Sequence, residues 1–210
     1  DDKEQTIWHV MTADGAFKPE TKLAGQGAVL WKFGPSGLEN RGQRRAYVPN
    51  LNTCNESEYE AAATALSFAR ATLGPVNLLV LMDSELVVKQ LEGIYQTKEA
   101  HLKTLAESVK ALKKEHTKVV FAAIRRDYNS RADVLSNEAV EKFSGGDERV
   151  FEDDEISGEE RLELPKDITT DNPQARFAIY AVKRQLRAKL WQSLVDDPSQ
   201  WWANRVNKQN

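Results

Sequence analysis

Four acidic residues of this 210-residue chain stand where reactive groups are commonly mounted: Asp14, Glu58, Asp83 and Asp133, each at the end of a strand-like run or on the first turn of a helix-like one. Each alone has an ordinary reading. Asp14 precedes Gly15 as in a turn, Glu58 suits a first helical turn, Asp83 suits a cap, and Asp133 reads as a surface charge. Together they read differently, because the elements that carry them converge on one side of a sheet. Crowded carboxylates raise one another's pKa and hold protons unless a cation joins them. Oxygen ligands suit Mg²⁺ or Mn²⁺, which keep waters and take phosphate oxygens as remaining ligands. Two such ions ~4 Å apart clamp an in-line displacement at phosphorus, so phosphodiester hydrolysis is the chemistry this set points to.

The positioning elements can be read from period and punctuation. "TIWHVMTAD", "GQGAVLWKFG" and "RRAYVPN" are strand-like, the last two separated by "PSGLENRG" as a hairpin loop, which predicts three successive antiparallel strands. From Glu56 to Leu73 the apolar residues recur at three and four, a helix stopped by Gly74 and Pro75. "VNLLVLMD" is a strand covered on both faces and ends on Asp83; "SELVVKQLEGI" follows as a helix, and a second helix runs from about Lys98 to His116. "KVVFAAIR" is the last strand, and "RADVLSNEAVEKF" a closing helix after the loop "RDYNS". The order βββαβααβα predicts an α/β layer fold, a five-stranded mixed sheet with helices over its faces.

Charge divides the chain into three. Residues 1–143 are neutral, 144–173 carry −8 and 174–210 carry +5. The first part is the expected globular domain. The second has no period and a heavy acidic bias, so it reads as a flexible connector. The third reads as a basic helical tail with Ile179, Val182, Leu186, Leu190 and Leu194 near one face. A hydrophobic content of 40% is enough for a real core, and no apolar run approaches the ~20 residues of a membrane span, so no membrane partner is expected. The single cysteine, Cys54, excludes a disulfide framework and a cysteine-rich metal site. "DDKEQT" has no signal-peptide character.

"TADGAF", "TCNESEYEAAATAL", "DSELVVKQLEG" and "RRDYNSRADVLSNEAV" resemble the successive motifs of type 1 ribonuclease H, closest to its archaeal and plant-type branch, over roughly residues 7 to 143. The resemblance implies a ribonuclease H-like fold and makes Asp14, Glu58, Asp83 and Asp133 a metal-binding catalytic tetrad, holding two Mg²⁺ ions, with Mn²⁺ as substitute. It implies cutting of the RNA strand of an RNA–DNA hybrid, leaving 5′-phosphate and 3′-hydroxyl ends. Asn55 matches an asparagine that feels the minor groove and the RNA sugar, where 2′-hydroxyls distinguish RNA from DNA. Gly15, Ser84 and Asn129 join it as expected substrate-binding residues. Glu85 stands where many members have glutamine. The loop histidine of better-known bacterial members is absent from "RRDYNS", and His116, before the last strand, does not replace it; Arg125, Arg126 and Tyr128 are the candidates. A basic, tryptophan-bearing helix of those members is absent too.

The tail offers compensating contacts. Lys183, Arg184, Arg187 and Lys189 are interleaved with Trp191, Trp201, Trp202, Arg205 and Lys208, a pattern that serves base stacking on single-stranded DNA or RNA, or packing. "LWQSLVDDPSQWWANRVNKQN" resembles the first half of the PDF motif of plant organellar single-stranded-DNA-binding (OSB) proteins, departing at Ala203. That resemblance implies a nucleic-acid-binding tail and a mitochondrial or chloroplast home, with a transit peptide lost. Two other readings stay open: a non-catalytic nucleic-acid-binding subunit of an organellar nucleoprotein assembly, and a DNA nuclease or resolvase of the same superfamily. The sequence names no protein partner.

Overall fold

The computed structural model describes residues 6–156, 160–166, 168 and 170–199. Three long strands open the chain: β1 (Trp8–Lys18), β2 (Leu23–Gly34) and β3 (Gly37–Val48). They pair antiparallel in sequence order, as expected. The hairpin between β2 and β3 is tighter than the predicted eight-residue loop. Leu38 is buried in the core beneath the sheet, which draws the start of "GLENRG" into the strand, and a bulge between Leu30 and Trp31 absorbs the change of register.

The chain then alternates: α1 (Cys54–Leu73), β4 (Asn77–Met82), α2 (Glu85–Leu91), α3 (Ala100–Lys113), β5 (Lys118–Ala123) and α4 (Ser130–Phe143). β4 lies parallel to β1 and β5 parallel to β4, giving the expected mixed sheet and the expected element order. One face of the sheet, with Met11, Leu30, Leu78, Val80 and Phe121, packs on α1, α2 and α3. The alternate residues Val10, Val29, Leu79, Leu81 and Val120 build the core of the other face with Ala132 and Leu135 of α4. The alanine-rich inner side of α1 brings its backbone close to the sheet, while Tyr59 and Leu66 fill the remaining space; burying each contributes about 1.5–3 kcal/mol.

The expectation for residues 144–173 needs correction. This segment adds two strands, β6 (Val150–Asp154) and β7 (Arg161–Leu162), to the far side of β3, so the sheet has seven strands rather than five. An acidic composition does not leave it loose, because β3 presents arginines to it. Arg44 holds Asp153 through two bonds of 2.6 and 2.8 Å and stacks on Phe68 and Phe151, Arg45 pairs with Asp154, and Lys142 pairs with Glu152. Arg149 closes the connection with a two-pronged bond to Glu60 on α1. β6 also covers backbone groups that β3 would otherwise leave open as an edge.

Helix α5 (Pro173–Asp196) begins where the sequence predicts, with the Asn172 side chain capping Gln174 and proline in the first turn. It lies on the same face of the sheet as α4. Ala175, Ala178, Ile179 and Val182 are buried there, and Leu186 packs against that core. The backbone of Trp8 bonds the Gln185 side chain at 3.0 Å. Leu190, expected on the same face, is exposed, since the helix has left the sheet by that point. Among the described residues, no helix is long and apolar enough to cross a membrane.

Candidate active site

Asp14 is carried by β1 into the space between the first turns of α1 and α4. That approach depends on small residues. A β-carbon at Gly15 would stand 2.4 Å from the Ser57 carbonyl oxygen, and one at Gly27 would stand 2.3 Å from that of Ala132, so side chains there would push both helices away. The start of α1 is fixed by a reciprocal cap: Thr53 Oγ1 accepts from the Glu56 N–H at 3.2 Å, and Glu56 Oε2 accepts from the Thr53 N–H at 2.7 Å. Ser57 Oγ donates to the Ala16 carbonyl at 2.8 Å and tethers this turn to β1. Glu58 is thereby presented beside Asp14.

Asp83 follows β4 directly. Ligating oxygens of Asp14, Glu58 and Asp83 lie within 4.8 Å of one another. Burial comes first among the causes that push the Asp14 carboxyl up to about 7, with the charge of Asp83 next. Burial likewise pushes Glu58 up to about 9, with the charges of Asp14 and Asp83 adding to it. Asp83 is raised by its burial. Glu58 Oε2 is buried without a hydrogen-bond partner. Three crowded carboxyls whose charged forms are disfavoured, one of them with an orphaned oxygen, form a donor set fitted to a hard divalent cation.

Asp133 stands apart from the three. It lies in the first turn of α4 and accepts from Arg126 Nη2 at 3.0 Å, yet it is near enough for its charge to raise both Asp14 and Asp83. Ser136, one turn further along α4, donates to Asp14 Oδ2 at 2.9 Å and opposes that rise. Sequence reasoning missed Ser136; its position three residues after Asp133, on the same helical face, was the available signal.

The remaining expected residues divide. Asn55 and Ser84 are partly exposed in the first turn of α1 and at the cap of α2, open to a ligand. Asn129 is buried and gives its amide to the Ala13 carbonyl at 2.9 Å, so it ties the loop after β5 to β1. Glu85 pairs with Lys89 on its own helix. Of the three loop candidates, Arg126 faces the acidic cluster, Arg125 pairs with Asp127 in solvent, and Tyr128 packs toward the core under α4. His116 is buried, with Nε2 3.0 Å from the Leu66 carbonyl. On α5, Lys183 reaches the Lys166 carbonyl, while Arg184, Arg187 and Trp191 are exposed. Trp201, Trp202 and Arg205 lie outside the described residues.

Residues 12–139 match the model of the reverse transcriptase-like family. The chain belongs to that family. Its fold is ribonuclease H-like: the chain is similar to RNase H1 from the halophilic archaeon Halobacterium salinarum, with a TM-score of 0.59 and 27% identity over 65% of this chain and 99% of that one. It is similar to the N-terminal RNase H domain of Rv2228c from Mycobacterium tuberculosis, with a TM-score of 0.57 and 30% identity over 65% and 96%. It is also similar to LC11-RNase H1, solved in complex with an RNA/DNA hybrid, with a TM-score of 0.56 and 33% identity over 64% and 97%. Among curated proteins, the bifunctional protein Rv2228c of M. tuberculosis is 31% identical over 132 residues, 63% of this chain and 35% of that protein. The chain thus spans about a third of the length of the curated relatives it matches. Within this family the three converging carboxylates are a metal-capable centre, mounted in a domain that the β6–β7 segment and α5 extend.

Proposed function

We propose that this chain hydrolyses the RNA strand of RNA–DNA hybrids, such as R-loops and primers, at Asp14, Glu58, Asp83 and Asp133. The observation that carries the reading is the convergence of three carboxyls within 4.8 Å on a ribonuclease H-like sheet, each with its pKa raised by burial. Two Mg²⁺ ions, or Mn²⁺ in their place, when bound by these carboxylates lower the pKa of the attacking water and neutralise the leaving oxygen. The chain's own groups do the rest. Ser136 orients Asp14 and favours its ionised form. Arg126 steadies Asp133 and lowers Glu58 and Asp83, so it favours the charged cluster that ligation requires. Water attacks phosphorus, the bond to the 3′-oxygen breaks, and that oxygen takes a proton, leaving 5′-phosphate and 3′-hydroxyl ends.

Asn55 and Ser84, at the starts of α1 and α2, are placed to meet the minor groove and the sugar–phosphate chain, while Gly15 lets α1 close on β1. The basic side of α5 adds affinity for DNA or RNA, since cations near phosphates release counterions. Resemblance of the terminal segment to the OSB motif supports residence in a plant mitochondrion or chloroplast, which microscopy of a fluorescent fusion of the full-length protein would test. A labelled hybrid incubated with Mg²⁺ and either the parent chain or Asp83→Asn tests the central reading. Cutting by the parent and its loss in the variant is expected; no cutting by the parent contradicts it and favours a binding subunit, while preference for all-DNA junctions favours a resolvase.

A further inference from the structure

The outward side of α5 carries three exposed aromatics: Phe177 is 58% exposed, Tyr180 59% and Trp191 67%. With Arg184 and Arg187 they fall within about 80° of arc on a helix that turns 100° per residue. The stripe is about 21 Å long, opposite the buried Ala175, Ala178, Ile179 and Val182. Among the described residues, no carboxylate pairs with its cations. Arg41, Arg44, Arg45, Arg125, Arg126, Arg131, Arg149 and Arg161 all hold carboxylates, so a phosphate there would have to displace an existing partner. On α5, Arg176 and Lys183 bond only backbone carbonyls, and no described carboxylate pairs with Arg184, Arg187 or Lys189.

The Trp191 end of the stripe lies away from the carboxylates, while Phe177 lies toward them. Gln185 is fixed to Trp8 at the beginning of β1, and Asp14 lies six residues further along that extended strand, about 20 Å away. Trp191 lies a further ~9 Å along the helix.

We infer that Phe177, Tyr180, Arg184, Arg187 and Trp191 form a second nucleic-acid site that takes single-stranded DNA or RNA, stacking bases on the rings between phosphates held by the arginines. Charge complementarity and the presence of rings beside cations on one face select this occupant; a partner helix would need a continuous apolar seam, which the arginines interrupt. The inference rests on the reading of α5 as nucleic-acid-binding and adds where it binds and what it binds.

The test measures anisotropy of a labelled oligothymidylate and of a single-stranded RNA with the full chain, Trp191→Ala, and Arg184→Glu with Arg187→Glu. Trp191→Ala should weaken binding at least fivefold, and the charge reversal at least tenfold with a shallower salt dependence. Circular dichroism confirms that each variant is folded. Unaltered oligonucleotide binding in both variants overturns the inference. So does a change in sedimentation without a change in binding, which would assign the stripe to a second copy of this chain. If the parent fails to cut hybrid while the variants lose single-strand binding, the catalytic reading fails and this site stands; the reverse pattern separates them the other way.

Discussion

At the scale of single residues, the cluster behaves as a proton reservoir. Asp14 and Glu58 titrate at about 7 and about 9 in the folded chain because they are buried and crowded, whereas in an unfolded chain such groups titrate near ~4. The folded state therefore holds extra protons between those limits. Stability present at low pH is lost as pH rises through the folded values. In chelator, the melting temperature should fall from pH 5 to pH 9, Glu58→Gln should flatten the fall, and added Mg²⁺ should stabilise more at the higher pH. A melting temperature that does not respond to pH in that range would count against the raised values. Ser136→Ala removes a bond that favours ionised Asp14, so the acidic limb of a pH–rate profile for hybrid cutting should move up by about one unit. Gly15→Ala drives a methyl into the Ser57 carbonyl and should cost about 1–3 kcal/mol in urea unfolding, with loss of metal affinity as α1 shifts.

At the scale of elements, the two additions beyond the family match are integral to the packing. β6 is secured by Asp153 on a nearly buried Arg44. Asp153→Ala strands that guanidinium between two phenyl rings and should cost about 2 kcal/mol, read from urea denaturation. A value near zero would mean that the ring contacts alone hold β6. α5 covers core that would otherwise face water, so Ile179→Ala should cost about 2 kcal/mol and shift the whole unfolding transition, not produce a separate early one. The strands of the core and the helices α1 to α5 were legible in the sequence because each carries its own period and punctuation. β6 and β7 were not. β6 is held by arginines about 110 positions earlier in the chain and β7 by pairing with Leu38 and Glu39 of β3, and no local window over "VFEDD" or "RL" contains those partners.

At the scale of the whole molecule, the division of charge acquires a structural meaning. The acidic segment neutralises arginines of the central domain, and the basic helix keeps most of its own cations exposed. The candidate site was legible to a similar degree. Asp14, Glu58 and Asp83 follow from strand ends and helix starts, which fix position through topology. Asp133 and Arg126 pair in a way that depends on side-chain reach across a loop, and Ser136 acts through a bond to a residue far earlier in the chain. Such contacts leave no periodic trace. The central claim concerns which strand this assembly cuts, and one assay reads it directly: an RNA–DNA hybrid labelled differently on its two strands, incubated with the full chain in Mg²⁺ and in chelator. The account predicts internal cuts in the RNA strand alone, only with the metal, and ending in 5′-phosphates. Cuts in the DNA strand, or equal RNA cutting in chelator, would contradict it.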